Sequence, residues 1–169
     1  MKLNDQMKRK TDCCFCVGRD WFRYRVGAII ISDGYALFAY GEDSGYYYTV
    51  GGGVHIGERS DEAVIREVRE ETGAQFEIER QLCIVENFFK DDLGGAQELD
   101  CHTIEFYYLM KPTEKREYDV MSVTTGGQNE KMCWIPVKDI SEYDIRPVIV
   151  KQIIQDMPAH FISYMNDFR

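Results

Sequence analysis

The chain has 169 residues, 44% of them hydrophobic, and carries 29 Asp and Glu against 20 Lys and Arg for a net charge of −9; residues 1–169 read as a single domain with one sizeable core. The acidic balance argues against a nucleic-acid polymer or an anionic membrane surface as partner, and no apolar run is long enough for a transmembrane helix. The N-terminus, MKLNDQMKRK, leads into polar residues rather than the apolar core of a signal peptide, and six cysteines without a secretory signal suit a reducing, cytoplasmic setting.

The first pattern along the chain is CCFCVG, with Cys13, Cys14 and Cys16 close together. Read as chemistry, Cys13 and Cys16 are half a zinc site, for which Cys83, Cys101, His102 and Cys133 are scattered and supply no second paired spacing. Read as structure, they are small apolar residues of a first strand, and that is the expectation. Trp21 to Ile31 (WFRYRVGAIII) alternates and then becomes continuously apolar, as in a strand whose inner half is buried on both faces. The alternation sets Phe22, Tyr24 and Val26 on one face and Arg23 and Arg25 on the other. Those arginines are either a solvated edge or contacts for phosphate, to which a planar guanidinium is well matched. Ser32, Asp33 and Gly34 make a turn, and Tyr35 to Tyr40 returns as a hairpin strand. After a loop from Gly41 to Gly45, Tyr46 to Val50 forms a strand whose tyrosines either stack on a planar ligand or simply favour extended chain.

That strand runs into GGGVHIGERSDEAVIREVREETGA, Gly51 to Ala74. Ser60 is the expected N-cap, Asp61 and Glu62 suit the positive first turn, and Gly73 suits the left-handed position past the last turn, giving a helix over Asp61 to Thr72. At 100° per residue Glu67, Glu70 and Glu71 share one edge, next to an apolar stripe of Val64, Ile65 and Val68. Such an acidic edge is ordinarily a solvated face. The glycines upstream change that reading, because Gly51, Gly52 and Gly53 let backbone approach a ligand closely or turn carbonyl oxygens toward it. Carboxylates beside such a turn suit Mg²⁺ or Mn²⁺, hard cations that bind between carboxylates and substrate phosphates.

The segment resembles the Nudix box, G-x5-E-x7-R-E-U-x-E-E-x-G-U with U bulky and aliphatic. Gly52, Glu58, Arg66, Glu67, Val68, Glu70, Glu71 and Gly73 match in register, and Ala74 is smaller than the last position prefers. The resemblance implies a metal-dependent hydrolase of the MutT type. Glu67, Glu70 and Glu71 would be metal ligands, with the Gly51 carbonyl as a further one, and Glu58 and Arg66 would form an ion pair bracing the turn. It also implies a catalytic base, either Glu67 or a carboxylate on a later loop.

That later loop is Lys90 to Asp100 (KDDLGGAQELD), acidic and holding a Gly-Gly pair. Glu98 is its first candidate for the base, with Glu105 and Asp100 behind. Before it, Gln75 to Asn87 reads as one or two strands; after it, His102 to Met110 is a strand closed by Pro112. His102 either orients a phosphate or is structural. Lys115 to Gln128 reads as a hairpin connection, Met132 to Val137 resembles the Trp-containing strand of many Nudix proteins, and Asp144 to Asp156 reads as a covering helix with Ile145, Val148, Ile149 and Ile153 on its apolar face.

The expected fold is α/β, a Nudix-like α/β/α sandwich with a mixed sheet between helices. The expected reaction is water attack at phosphorus in a nucleoside diphosphate linked to another group: a nucleotide, a sugar or the rest of an oxidised nucleoside triphosphate. The expected cofactor is Mg²⁺ or Mn²⁺. A small nucleotide derivative is the expected partner, and a homodimer stays open. The alternative from another class is a nucleotide-sensing module that keeps the fold without the chemistry; retention of all three glutamates speaks against it.

Overall fold

The apolar run that begins at Trp21 serves two sheets. In the computed structural model, which describes residues 11–42, 44–91, 98–112, 122–123 and 129–168, a first strand β1 (Cys14–Val17) precedes β2 (Asp20–Ile29), and the chain then crosses at Ile30 into β3 (Ile31–Ser32). There follow β4 (Tyr35–Gly41), β5 (Tyr47–Thr49), helix α1 (Ser60–Thr72), β6 (Ile78–Asp91), β7 (Leu99–Met110), β8 (Ser122–Val123), β9 (Asn129–Pro136), a 3₁₀ turn over Val137–Glu142, helix α2 (Ile149–Gln155) and β10 (Ile162–Asp167). One sheet is mixed, in the order β1-β2-β7-β6-β10, with β2/β7 and β6/β10 parallel. The other is antiparallel, in the order β3-β4-β9-β8, with β5 on β4.

Strand alternation divides the core into two layers. On one face Val26, Ala28, Tyr108 and Met110 meet Ala63, Val64 and Val68 of α1. On the other, Ile29, Cys83, Val85 and Tyr107 meet Ile140, Ile145, Val150, Ile153 and Ile154 around α2. Helices thus cover both faces of a mixed sheet, as expected. The Ser32–Gly34 turn is also as expected: Asp33 (φ 48°) and Gly34 (φ 79°) are both left-handed, the geometry that matches the strand twist of a two-residue hairpin.

Several expectations need correction. Gln75–Asn87 does not divide: β6 is one strand that reaches Asp91, and its pairing Lys90↔Asp100 and Asp91↔Leu99 carries the hairpin into what read as loop. The tip, residues 92–97, lies outside the described residues, as does most of the 115–128 excursion; the two residues of β8 pair with Asn129 and Glu130. On α2, Val148 is exposed and Val150 and Ile154 take the buried positions, because the helix starts one turn later than the apolar spacing suggested. Ile65 is likewise 42% exposed while Ala63 is buried. Strand β10 gave no signal in the sequence: Ile162–Asp167 mixes polar and apolar residues because only one side rests on the core.

Gly27 sits at a close approach between β2 and Tyr107 of β7. A Cβ there would lie 2.6 Å from Cε1 of Tyr107 and 2.8 Å from Oγ1 of Thr49. Gly27→Ala is therefore expected to cost about 1–3 kcal/mol through forced movement of a buried ring, read as a fall in Tm of roughly 2–4 °C per kcal/mol. An unchanged Tm would show that Tyr107 has room to move.

Candidate active site

Helix α1 starts as the chain leaves the glycine turn. Its N-cap is Arg59 rather than Ser60: Arg59 is extended, and its N–H is accepted by the Glu62 carboxylate at 3.2 Å. Ser60 is instead the first helical residue, and its hydroxyl meets that of Tyr108 at 2.6 Å. Gly73 closes the helix at φ 69° with its N–H on the Arg69 carbonyl. The one-residue change in cap leaves the helical phase unaltered, so Val64 and Val68 point to the core and the glutamates to a cleft.

The glycine turn runs antiparallel along β2, with Ala28 N–H on Val50 O and Val26 N–H on Gly52 O. Gly51 sits at φ 146°, and a Cβ there would meet the Val26 carbonyl at 2.2 Å, so only glycine fits. A Cβ on Gly52 would touch the Glu67 carboxylate at 2.6–2.7 Å. The Gly53 carbonyl accepts from Arg66 Nη2 at 3.0 Å. With Gly52 and Gly53 so engaged, the Gly51 carbonyl is the one of the three without a partner among the described residues.

Arg66 gathers the acidic groups. Its Nε and Nη2 donate to Glu58 at 2.8 Å each, a two-pronged pair, and Nη1 donates to Glu67 at 2.6 Å and Glu70 at 3.2 Å. His55 N–H adds a bond to Glu58 at 3.0 Å. Burial alone would lower the Arg66 pKa, but the hydrogen bonds to Glu58 and Glu67 outweigh it and raise it. The same Arg66 bonds hold Glu58 down to about 2 against the cost of burial.

The helix carboxylates differ in burial: Glu70 is exposed, Glu67 largely covered and Glu71 buried. Among the described residues Glu71 takes only the Gly51 N–H, at 3.3 and 3.4 Å to its two oxygens. Burial, with the charges of Glu130 and Glu67 nearby, pushes its pKa well above the usual range. Burial likewise raises Glu67, against the pull of Arg66. As they stand, no three acidic, His or Cys side chains among the described residues converge on one point, since Glu67 is drawn to Arg66 and Glu71 to the Gly51 amide.

Facing them across the cleft are Arg23 and Arg25 of β2. The expected alternation holds, yet neither lies on a solvated edge, because β2 is flanked by β7 on one side and by β1 and the glycine turn on the other. Arg23 pairs with Asp12 at 3.1 Å; its pKa is lowered by burial and by the like charge of Arg25. Arg25 is held charged despite burial by Glu105 and, beyond it, Glu71 and Glu67. The Nε atoms of both arginines are buried and have no hydrogen-bond partner among the described residues.

Of the loop carboxylates, Glu98 is not brought to this cleft: it is exposed and paired with Arg19 at 3.5 Å. Asp100 also turns outward, to Lys90 at 3.4 Å. Glu105 does line the cleft, buried and accepting from Thr103 at 2.7 Å and Tyr107 at 2.8 Å. His102 faces away from it, stacked on Phe88 and bonded to Glu86 at 3.1 Å. Tyr46 and Tyr48 line the cleft while Tyr47 packs into the core. The sequence reading missed Glu130, whose carboxylate takes the Tyr48 hydroxyl, and Asp12, which holds Arg23. Nothing local marks Glu130, but an acid facing an arginine strand would have pointed to Asp12. Cys14 and Cys16 sit exposed on β1, where no set of three metal-ligating side chains forms among the described residues.

The family model described as the NUDIX domain matches residues 21–156. The chain belongs to the Nudix family. Among curated relatives, the nucleoside triphosphatase NudI of Klebsiella pneumoniae is 30% identical over 66% of this chain and 79% of its own length, and that of Salmonella agona is 30% identical over 69% and 84%. Among solved structures, the MutT protein of Methanosarcina mazei superposes with a TM-score of 0.63 at 16% identity, covering 83% of this chain and 95% of that one. The dihydroneopterin triphosphate pyrophosphohydrolase of E. coli does so with 0.63 at 16%, covering 80% and 95%. These structures share the fold. The chain is a Nudix pyrophosphohydrolase, of a family that acts on small nucleotide derivatives, and no helix among its described residues is long and apolar enough to cross a membrane.

In this Nudix hydrolase the brace between turn and helix has a pH signature. A carboxylate held down to about 2 stabilises the fold above its ordinary value of 4.5, and that stability is lost as pH falls from 4.5 toward 2. Glu58→Gln is expected to cost about 3 kcal/mol at pH 7 and to flatten this acid limb in thermal melts. A variant that melts like the parent at both pH 7 and pH 3 would remove the brace.

Proposed function

We propose that this hydrolase cleaves the phosphoric anhydride of a nucleoside triphosphate with the help of a divalent cation, Mg²⁺ or Mn²⁺. The observation that carries the reading is the pairing, across one cleft, of a buried excess of carboxylate on α1 with two arginines whose Nε atoms lack partners among the described residues. The donor set is all oxygen, which suits a hard cation, and an ion would offset the buried charge at Glu71. Glu67, Glu70, Glu71 and the unengaged Gly51 carbonyl would hold it, after Glu67 and Glu71 leave their present partners. The cation supplies charge neutralisation at the phosphates when bound.

The chain's own groups do the rest. Arg23 and Arg25 bind phosphate oxygens, held in place by Asp12 and Glu105. Glu67, through a carboxylate oxygen that the cation leaves free, takes the proton of the attacking water; Glu98, exposed and paired with Arg19, does not line the cleft. The products are two phosphorylated fragments. The NudI relatives, named as nucleoside triphosphatases, favour a triphosphate over ADP-ribose.

Chromatographic detection of the nucleotide products formed from nucleoside triphosphates, oxidised dGTP, nucleotide sugars, dinucleoside polyphosphates and ADP-ribose tests this. Turnover of at least one triphosphate with Mg²⁺, abolished by EDTA, is expected; turnover that survives EDTA would overturn the metal assignment, and preference for ADP-ribose the substrate. Glu71→Gln separates chemistry from folding. Since the raised pKa of Glu71 means that its ionisation costs stability as pH rises above 4.5, the metal-free variant should melt higher than the parent at pH 8 while its activity falls by orders of magnitude. A variant with near-normal turnover would exclude Glu71 as a ligand.

A further inference from the structure

Strand β10 lies beyond residues 21–156, the part matched by the family model, yet it reaches the cleft. Its parallel pairing with β6 sets Asn166 beside Asn87, and the pairings of β6 with β7 and of β7 with β2 extend that row through Thr103 to Arg23. Neighbouring strands are about 4.8 Å apart, so Asn166 stands roughly 14 Å from Arg23, a span that a sugar and a base fill when the phosphates lie at the arginine.

The amides in this row are oriented. Asn166 donates from Nδ2 to Asn87 Oδ1 at 2.5 Å, and Asn87 donates in turn toward Glu105 at 3.5 Å. The Asn166 carbonyl oxygen has no partner among the described residues, and the Nδ2 group has a second N–H. An amide offering one acceptor and one donor side by side complements the edge of a heterocyclic base, which carries an N–H next to an acceptor. Next to it Phe168, 63% exposed, stands at the cleft mouth with Phe89 on the adjoining strand. Aromatic rings there offer stacking to a flat ring.

We infer that Asn166 and Phe168 are specificity-determining residues that recognise the base of the nucleotide, Asn166 by its amide edge and Phe168 by stacking. This rests on the reading of the cleft as a nucleotide site, and adds that a strand outside the family's matched region selects the base end.

The test is calorimetric binding of nucleoside 5′-monophosphates and of ribose 5-phosphate in EDTA, to the parent chain and to Asn166→Ala and Phe168→Ala. The parent is expected to bind at least one nucleoside monophosphate about tenfold more tightly than ribose 5-phosphate, and each variant to lose most of that margin while its affinity for ribose 5-phosphate is unchanged. Equal loss for both ligands, or no loss, in variants that melt like the parent would overturn the inference. Phe168 is exposed, so Phe168→Ala keeps the test decisive if Asn166→Ala fails to fold. The measurement needs neither metal nor turnover. A margin that persists when no triphosphate is hydrolysed would defeat the proposed reaction alone, and turnover without the margin would defeat the base subsite alone.

Discussion

The site depends on one guanidinium. Arg66 is planted on α1 and closes the glycine turn against that helix by its paired bonds to Glu58 and its bond to the Gly53 carbonyl. The same group neutralises Glu67 and reaches Glu70. A planar fork with five donors can do this and an ammonium cannot, because the four partners lie in different directions at fixed angles. Without that charge, α1 would carry Glu67, Glu70 and Glu71 within one turn and next to a buried Glu130, an arrangement that repels itself.

The cleft itself follows from strand parity. On β2 the odd residues Arg23 and Arg25 share a face with Ile29, so one strand supplies cations at one end and core at the other. Thr103 and Glu105 on β7, and Asn87 on β6, repeat this change from polar to apolar along the same face. Helix α2 and the 3₁₀ turn cover only the apolar end of that face, and what they leave open is the polar floor. The opposite face, under α1, is sealed by Val26, Ala28 and Tyr108.

A chain of net charge −9 must still attract an anionic substrate. On the proposed reading it does so locally: Arg25 stays charged although buried because Glu105 sits beside it, and Arg23 is anchored by Asp12. Each cation is therefore compensated at its base, with an Nε that has no partner among the described residues. Buried Glu71 on the facing helix is the reverse case: among the described residues it takes only the Gly51 N–H, and on the proposed reading a bound cation offsets it.

The box, its helix, the hairpin at Ser32–Gly34 and the parity of Arg23 and Arg25 were all readable along the sequence, because each depends on contacts a few residues apart: capping, a left-handed glycine, the periods 2 and 3.6. Tertiary structure decided what lies between distant segments. Glu98, on an acidic loop, is the base the sequence suggests first, yet it pairs with Arg19, while the β2/β7 register sets Glu105 beside Arg25. Glu130 beside Glu71, Asp12 beside Arg23 and Asn166 beside Asn87 join residues up to 79 positions apart, and no local pattern encodes such a meeting. The sequence by itself determined which chemical groups this protein has and on which face of which element they stand. Only packing the elements together decided which groups share the cleft, since that depends on strand order and register set by the burial of the whole core.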